Sequence, residues 1–300
     1  MPSPMSARPL PSSIHASLLA ALAMLAFAGN SLLCRLALRD TMLDAASFTT
    51  LRLVSGALVL WLLVLAKAPR NGRPGRGSWP SALALFAYAA AFSFAYLQLT
   101  AATGALVLFG AVQATMIGVG LWRGERFSAI QLLGFVVALA GLVVLLLPGV
   151  SAPPLASALL MAAAGVAWGV YSLRGARAAD PLGDTAGNFL RAAPLAIVLS
   201  LVLLAERRFD AVGAGYAVAS GALASGLGYA AWYAVLPRLS ALRASVLQLS
   251  VPAITAVGGV LLLDETLSLR LLLCSVAVLG GVLLVVATRT TRAALRPPAS

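Results

Sequence analysis

The sequence is short of charge. Only 10% of its 300 residues are charged, against about 25% in a soluble domain, so a water-soluble fold is excluded. Acids are scarcest. The nine are Asp40, Asp44, Glu125, Asp180, Asp184, Glu206, Asp210, Asp264 and Glu265, and each falls in a loop or at the end of an apolar run. There is one histidine, His15, at the start of the first apolar run, where an interfacial place is expected. The two cysteines, Cys34 and Cys274, lie in apolar runs without metal-ligand spacing and read as small buried hydrophobes. A membrane enzyme needs a nucleophile and a base within reach of each other. No Ser-His or paired-Asp spacing supplies them, so no catalytic residue, metal or cofactor is expected. The basic residues, almost all Arg, give a net charge of +12 and a pI near 11.2. They form no stripe, so no nucleic-acid partner is expected; they read as anchors holding loops on the cytoplasmic side.

What is abundant is apolar. Hydrophobic residues make up 61% of the chain and mean hydropathy is +0.97. A helix needs roughly 20 apolar residues to cross the hydrocarbon core. Ten such spans are expected, near 14–35, 46–66, 80–99, 103–121, 128–147, 155–173, 187–205, 212–235, 244–262 and 268–288. With backbone groups forced to satisfy one another in lipid, the fold class is an all-α polytopic membrane protein. The first span also has a signal-peptide-like reading, through Arg8 and Ala26-Phe27-Ala28. With the N-terminus in the cytoplasm, 14 basic residues fall inside and five outside (Arg35, Arg39, Arg207, Arg208 and Arg270). Both termini are therefore expected inside, in the inner membrane of a bacterium.

The organising feature is a repeat. Residues 96–148 align without a gap on 236–288, offset by 140 positions: Glu125 on Glu265, Ser128 on Ser268, Gly118 on Gly258, Gly141 on Gly281. Leu51-Arg52 is likewise answered by Leu190-Arg191, and Phe27 by Trp168. Two halves follow, 1–150 and 151–300, each with five spans. Five is odd, so the halves enter the membrane in opposite directions, the inverted-repeat pattern of transporters with a site near the midplane.

Residues 228–268 resemble the second repeat of the EamA-type drug/metabolite transporters. They do so through Tyr229, Trp232 and Tyr233, a small-residue turn around Ser240 to Ser245, Pro252 and Glu265. The first half resembles the same pattern through Tyr96, Ala101, Gly124-Glu125 and Gly141, and Arg52 matches a basic residue common early in the family's second span. Val112 stands where Pro252 has its counterpart. The resemblance implies a ten-helix basket, with helices one to four and six to nine around a central cavity and five and ten outside. It also implies export of metabolites, amino acids among them, as in the YddG-type branch; a multidrug or proton-coupled efflux carrier is the alternative.

Site candidates follow from what lipid tolerates. Polar groups in spans should face a cavity or another helix, which selects Asn30, Gln98, Gln113, Gln248 and Ser250. Aromatic stripes at helical spacing, Tyr88, Phe92 and Tyr96, Trp168 with Tyr171, and Trp232 with Tyr229, offer the apolar wall of a small-molecule site or plain packing. Trp79 and Trp122 read as interfacial belt residues. Arg52 and Arg191 either snorkel to headgroups or meet an internal partner at a helix end. Glu125 and Glu265 read as hairpin residues favouring the next helix N-terminus. Glycines including 110, 118, 141, 258, 280 and 281 should permit close helix approach, and Pro252 and Gly110 are the hinge candidates. Without a carboxylate in a span, a zwitterionic or neutral solute suits the cavity better than a cation. Transport down a gradient is favoured over ion coupling. The expected assembly is a monomer in contact with lipid.

Overall fold

The computed structural model describes residues 13–66, 76–124, 128–147, 149, 152–175, 178–235 and 241–294. Glu125 and Ser240 lie outside these residues. The described chain is helical: α1 (Ser13–Asp40), α2 (Ala45–Ala66), α3 (Trp79–Ala95), α4 (Ala101–Trp122), α5 (Ala129–Leu146), α6 (Leu155–Gly175), α7 (Pro181–Val202), α8 (Ala211–Val235), α9 (Ala241–Leu263) and α10 (Leu269–Ala294). Seven are long and apolar enough to cross a membrane; Trp79–Ala95, Leu247–Leu263 and Leu269–Val285 are shorter apolar stretches. Their outward faces carry leucine and valine, as at Leu133, Val136 and Val143 on α5.

Capping residues set the helix starts. Ser78, Thr100, Ser128, Asp180 and Asp210 each accept a backbone N–H from the first turn of α3, α4, α5, α7 and α8. Such caps satisfy donors that the helix itself leaves orphaned. Ser128 closes a full capping box with Gln131, and its repeat partner Ser268 caps α10 through the Leu271 N–H at 3.1 Å. Of the turn expected over 240–245, Ala241 onward is already the first turn of α9.

Packing pairs the halves. α2 lies against α7, and α5 against α10. The pairing of α3 with α6 is answered by α8 with α1, and that of α4 with α6 by α9 with α1. In α5 and α10, Gly134 meets Gly281, while Gly141 meets Cys274 and Ala277. Contact numbers fall on one helix as they rise on the other, so the pair is antiparallel. The 140-residue offset carries Gly134 to Cys274 and Gly141 to Gly281, so the two contacts are images of each other. α2 and α7 are also antiparallel, with the Thr50 hydroxyl donating to the Ala196 carbonyl and Gly56 against Phe189.

α1 is part of the core. Ala23, Ala28, Cys34 and Ala37 are buried, and the helix packs on α8 and α9. A signal-peptide role is therefore set aside. Not every expected glycine contact forms: among the described residues, a Cβ added at Gly118 or Gly280 meets nothing within 4 Å.

At the α5–α10 crossing, a Cβ on Gly281 would sit 2.4 Å from the Gly134 carbonyl oxygen, whereas at Gly280 it meets open space. Gly281→Leu should destabilise the protein by about 1–3 kcal/mol through overpacking, and Gly280→Leu should leave it unchanged. Thermal melts of the two variants in detergent check this.

Candidate functional site

Two cavities share the helices α3, α6 and α8. The larger, about 620 Å³, opens at the end where α3 begins and α4 and α6 finish. Ser81, Tyr171, Arg174, Thr185, Asn188 and Tyr233 give it a polar wall. The smaller, about 20 Å³, has room for about one water molecule and lies deeper, among Phe27, Asn30, Tyr88, Trp168, Tyr229 and Gln248. Trp168 stands between them, stacked on Tyr171 of the outer chamber at 5.4 Å and on Tyr229 of the inner one at 5.3 Å. Tyr88 closes on Trp168 at 4.8 Å. The inner chamber is thus an aromatic box whose wall faces an open vestibule.

Arg52 lies behind the wall of the box, bonded to Tyr88 and Ser225 of its lining. It is 1% exposed, among the largest fully buried side chains. It does not snorkel. Its Nη2 donates to the Tyr88 hydroxyl at 2.9 Å and its Nε to Ser225 Oγ at 3.4 Å. Its Cζ lies over the rings of Tyr88 and Phe92, at 5.1 and 4.9 Å. Among the described residues Nη1 is buried without a hydrogen-bond partner. Among the described residues the ion pairs are Arg35–Glu265 and Arg39–Asp40, and neither reaches Arg52. A charge held in the membrane interior costs several kcal/mol. Desolvated cation–π contacts of about 2 kcal/mol and hydrogen bonds to a charged group of about 1.5–3 kcal/mol offset part of that.

The box is shaped by a distortion of α8. Residues Ser220–Leu227 wind as a π-helix, a form that is rare and recurs at functional sites. It presents Ser220, whose hydroxyl donates to Asn30 Oδ1 at 2.7 Å, and Ser225, the Arg52 partner. Asn30 in turn donates its Nδ2 to the Tyr88 hydroxyl at 3.2 Å. Close approach of α8 to α2 requires Gly221, where a Cβ would fall 2.2 Å from the Arg52 carbonyl. The run SGALASGLG, rich in glycine and serine, was the signal available in the sequence.

The opposite end is tied by charged side chains, beside a separate cavity of about 230 Å³ lined by Gln98, Thr103, Pro154 and Ser268. Glu265 is buried; its Oε2 accepts the Ala101 N–H at 2.8 Å, at the start of α4, and its Oε1 accepts Arg35 Nε at 3.2 Å. Arg35 Nη1 also donates to the carbonyls of Tyr96 and Leu97, and Arg39 Nη1 to that of Leu263. Glu265 was expected to favour the helix that follows it. It serves the N-terminus of α4 instead, because its connection folds back over α4 and leaves Ser268 to cap α10.

The other candidates divide. Asn30, Tyr88, Trp168 and Gln248 line the inner chamber and Tyr171 the outer one, while Phe92 backs Arg52. Trp232 is buried against Phe27 at 6.1 Å, and Gln113 is buried on α4. Tyr96 packs at the closed end, its hydroxyl on the Ala101 carbonyl. Gln98 is exposed in the turn after α3 and accepts the Ser157 hydroxyl at 3.0 Å; α3 stops at Ala95, short of the span expected to hold it. Ser250 bonds back to the Leu247 carbonyl. Pro252 and Gly110 lie in uninterrupted helices, the former beside a small separate cavity of about 40 Å³. Arg191 is half-buried and donates to the carbonyls of Gly187 and Arg76. Thr185 was missed because α7 begins at Pro181 rather than near 187, although the Asp180-Pro181 start signal was present; Asn188 fell inside the expected span but was not singled out.

The profile of the EamA-like transporter family matches residues 15–147 and again 155–287. The chain therefore belongs to that family and is a multi-pass membrane protein of the transporter class. It is 58% identical over 277 residues to the uncharacterized protein PA1977 of Pseudomonas aeruginosa, covering 92% of this chain and 96% of that one. A crystal structure of a protein 21% identical in sequence has the same fold, with a TM-score of 0.63 over 92% of this chain and 99% of the other.

The Arg35–Glu265–Ala101 tie predicts a ranking. Glu265→Ala removes the charge from a buried pair and should cost about 3–5 kcal/mol. Glu265→Gln keeps an acceptor for the Ala101 N–H and should cost less. Thermal denaturation of the purified variants gives the order.

Proposed function

We propose that the protein exports small metabolites, amino acids first, across the bacterial inner membrane by alternating access. In this reading all ten helices cross the membrane, with residues 1–150 and 151–300 as inverted five-helix repeats around the two chambers. The chain works as a monomer with both termini in the cytoplasm. The observation that carries it is the vestibule of about 620 Å³, open at one end and stopped by Trp168, in a molecule whose far end is tied by Arg35 and Glu265. With the positive-inside assignment the open end is cytoplasmic, the state that loads an exporter. Antiparallel, symmetry-related packing of α5 on α10 and of α2 on α7 supports the inverted repeat.

Solute recognition rests on Asn30, Tyr88, Trp168, Tyr171 and Gln248, with Phe92 behind them. An aromatic wall with a few convergent polar groups suits a small solute with an apolar body, which favours the amino-acid-exporting YddG-type branch over a carrier of inorganic ions. None of the described acids lies in either chamber except Asp184 at the vestibule rim. Transport is therefore read as uncoupled, since a proton-coupled carrier commonly places a carboxylate at depth.

The test is efflux from liposomes holding the pure protein and a mixture of labelled amino acids, with and without an imposed proton gradient. Amino-acid efflux indifferent to the gradient is expected. Efflux that follows the gradient overturns the uncoupled mechanism. Absence of efflux beside a working control carrier overturns the amino-acid reading and favours drugs or other metabolites.

A further inference from the structure

The repeat pairs α4 with α6 and α9 with α1, but the two pairs touch at different levels. On α4–α6, a Cβ on Gly165 would meet Ala111 at 2.6 Å and one on Gly169 would meet Thr115 at 2.9 Å. Residue numbers rise together, so the helices run parallel. One turn further on, this register brings Gly118 to the level of Ser172. A Cβ on Gly118 meets nothing within 4 Å among the described residues. The 140-residue offset carries the Gly169–Thr115 contact to Gly29 and Thr255, and the Gly118–Ser172 level to Gly258 and Leu32. On α1–α9 the pattern is reversed. A Cβ on Gly258 would meet Leu32 at 2.5 Å, whereas one on Gly29 meets nothing within 4 Å.

We propose that these four glycines are the contact points of a two-state switch, and that the second state exchanges them. Gly29 then closes on Thr255 and Gly118 on Ser172, while Gly169 leaves Thr115 and Gly258 leaves Leu32. This rests on the carrier function proposed above and specifies its opposite state.

The argument is one of symmetry and packing. Halves built on one sequence pattern can each take the arrangement of the other, and exchanging them gives the opposite state of an inverted-repeat carrier. Glycine permits the closure at each point, because no side chain holds the backbones apart. Packed helices also change between discrete arrangements rather than deform continuously. Thr255 matches Thr115 in detail: each hydroxyl bonds back to the carbonyl four residues earlier, at 2.9 and 2.8 Å.

The two ends of the molecule agree. Val119 and Trp122 of α4 and Leu173 and Arg174 of α6 all line the vestibule, so drawing Gly118 onto Ser172 narrows it. At the other end, parting Leu32 from Gly258 draws α1 away from α9. That breaks the bond from Arg39 to the Leu263 carbonyl and the pair of Arg35 with Glu265. The open vestibule and the intact tie therefore belong to one state. Gly29 and Gly118 line neither chamber, so substitutions there act on helix contacts and not on the solute.

The experiment uses the full chain. Gly29→Leu and Gly118→Leu fill space that is empty in the vestibule-open state and obstruct the exchanged contacts. Gly280→Leu is the control, since Gly280 and its repeat mate Ala140 are both exposed. All three should melt as wild type does in detergent. Efflux of labelled amino acids from liposomes should fall about tenfold or more in the first two, as when a conformational step is blocked, and stay unchanged in the third. Cross-linking reads the switch without any solute. With Cys34 and Cys274 replaced by Ala, Leu32→Cys paired with Gly258→Cys should form a disulfide quickly, and Gly118→Cys paired with Ser172→Cys slowly. Glu265→Gln loosens the tie and should slow the first pair while speeding the second. Gly118→Leu should speed the first. The leucine variants keep the test decisive if Glu265→Gln fails to fold.

Wild-type efflux in Gly29→Leu and Gly118→Leu, a Gly118–Ser172 pair that never cross-links, or two pairs whose rates do not move in opposite directions overturns the inference. The two claims fail separately. Reciprocal cross-linking without efflux leaves the switch and removes the amino-acid reading. Efflux untouched by either disulfide leaves a carrier without this switch.

Discussion

A guanidinium buried in a membrane bundle, with no carboxylate partner among the described residues, is the constraint around which the site is built. Lipid offers Arg52 nothing, so neighbouring helices must supply what water would have supplied. α3 contributes the faces of Tyr88 and Phe92, and α8 contributes Ser225. α1 contributes Asn30, which reaches the same phenol. Each contribution imposes a demand on its own helix. α8 departs from regular winding over Ser220–Leu227 to bring Ser225 and Ser220 to the box, and Gly221 lets it close on α2. The price of one charge is thereby spread over four helices, which explains why the irregular backbone sits beside Arg52 and not at Pro252.

The two ends of the molecule use their arginines differently. At the closed end, Arg35 and Arg39 join helix ends through carbonyls and through Glu265. At the open end, Arg174 donates to Ser81 at 3.0 Å on the vestibule wall, and Arg191 holds the chain ahead of α3. Arg52 and Arg191 occupy matching places in the repeat, yet one is buried behind the box wall and the other binds the carbonyls of Gly187 and Arg76. The bundle is symmetric in its packing and asymmetric in its chemistry.

Much of this was legible in the sequence. The apolar runs placed nine of the ten helix starts within a few residues, whereas the Gly134–Gly281 and Gly141–Cys274 contacts, symmetric under the 140-residue repeat, became visible only in the packing. The start of α7 was misplaced because apolar content outweighed the cap at Asp180-Pro181, and with it Thr185 was lost to a supposed loop. Asn30, Tyr88 and Trp168 could be selected because polar and aromatic groups in mid-span stand out. Arg52 could not be placed. Snorkelling and burial give the same sequence, and only the packing of α3 and α8 against α2 separates them. The π-helical segment was hidden for a related reason: small residues permit several windings, and the neighbours choose among them.

The most direct measurement is an experimental structure with L-phenylalanine bound. The solute should lie among Asn30, Tyr88, Trp168 and Gln248, with Trp168 and Tyr171 parted to admit it. A solute held only in the vestibule near Asn188, or at the end tied by Arg35 and Glu265, would contradict the account.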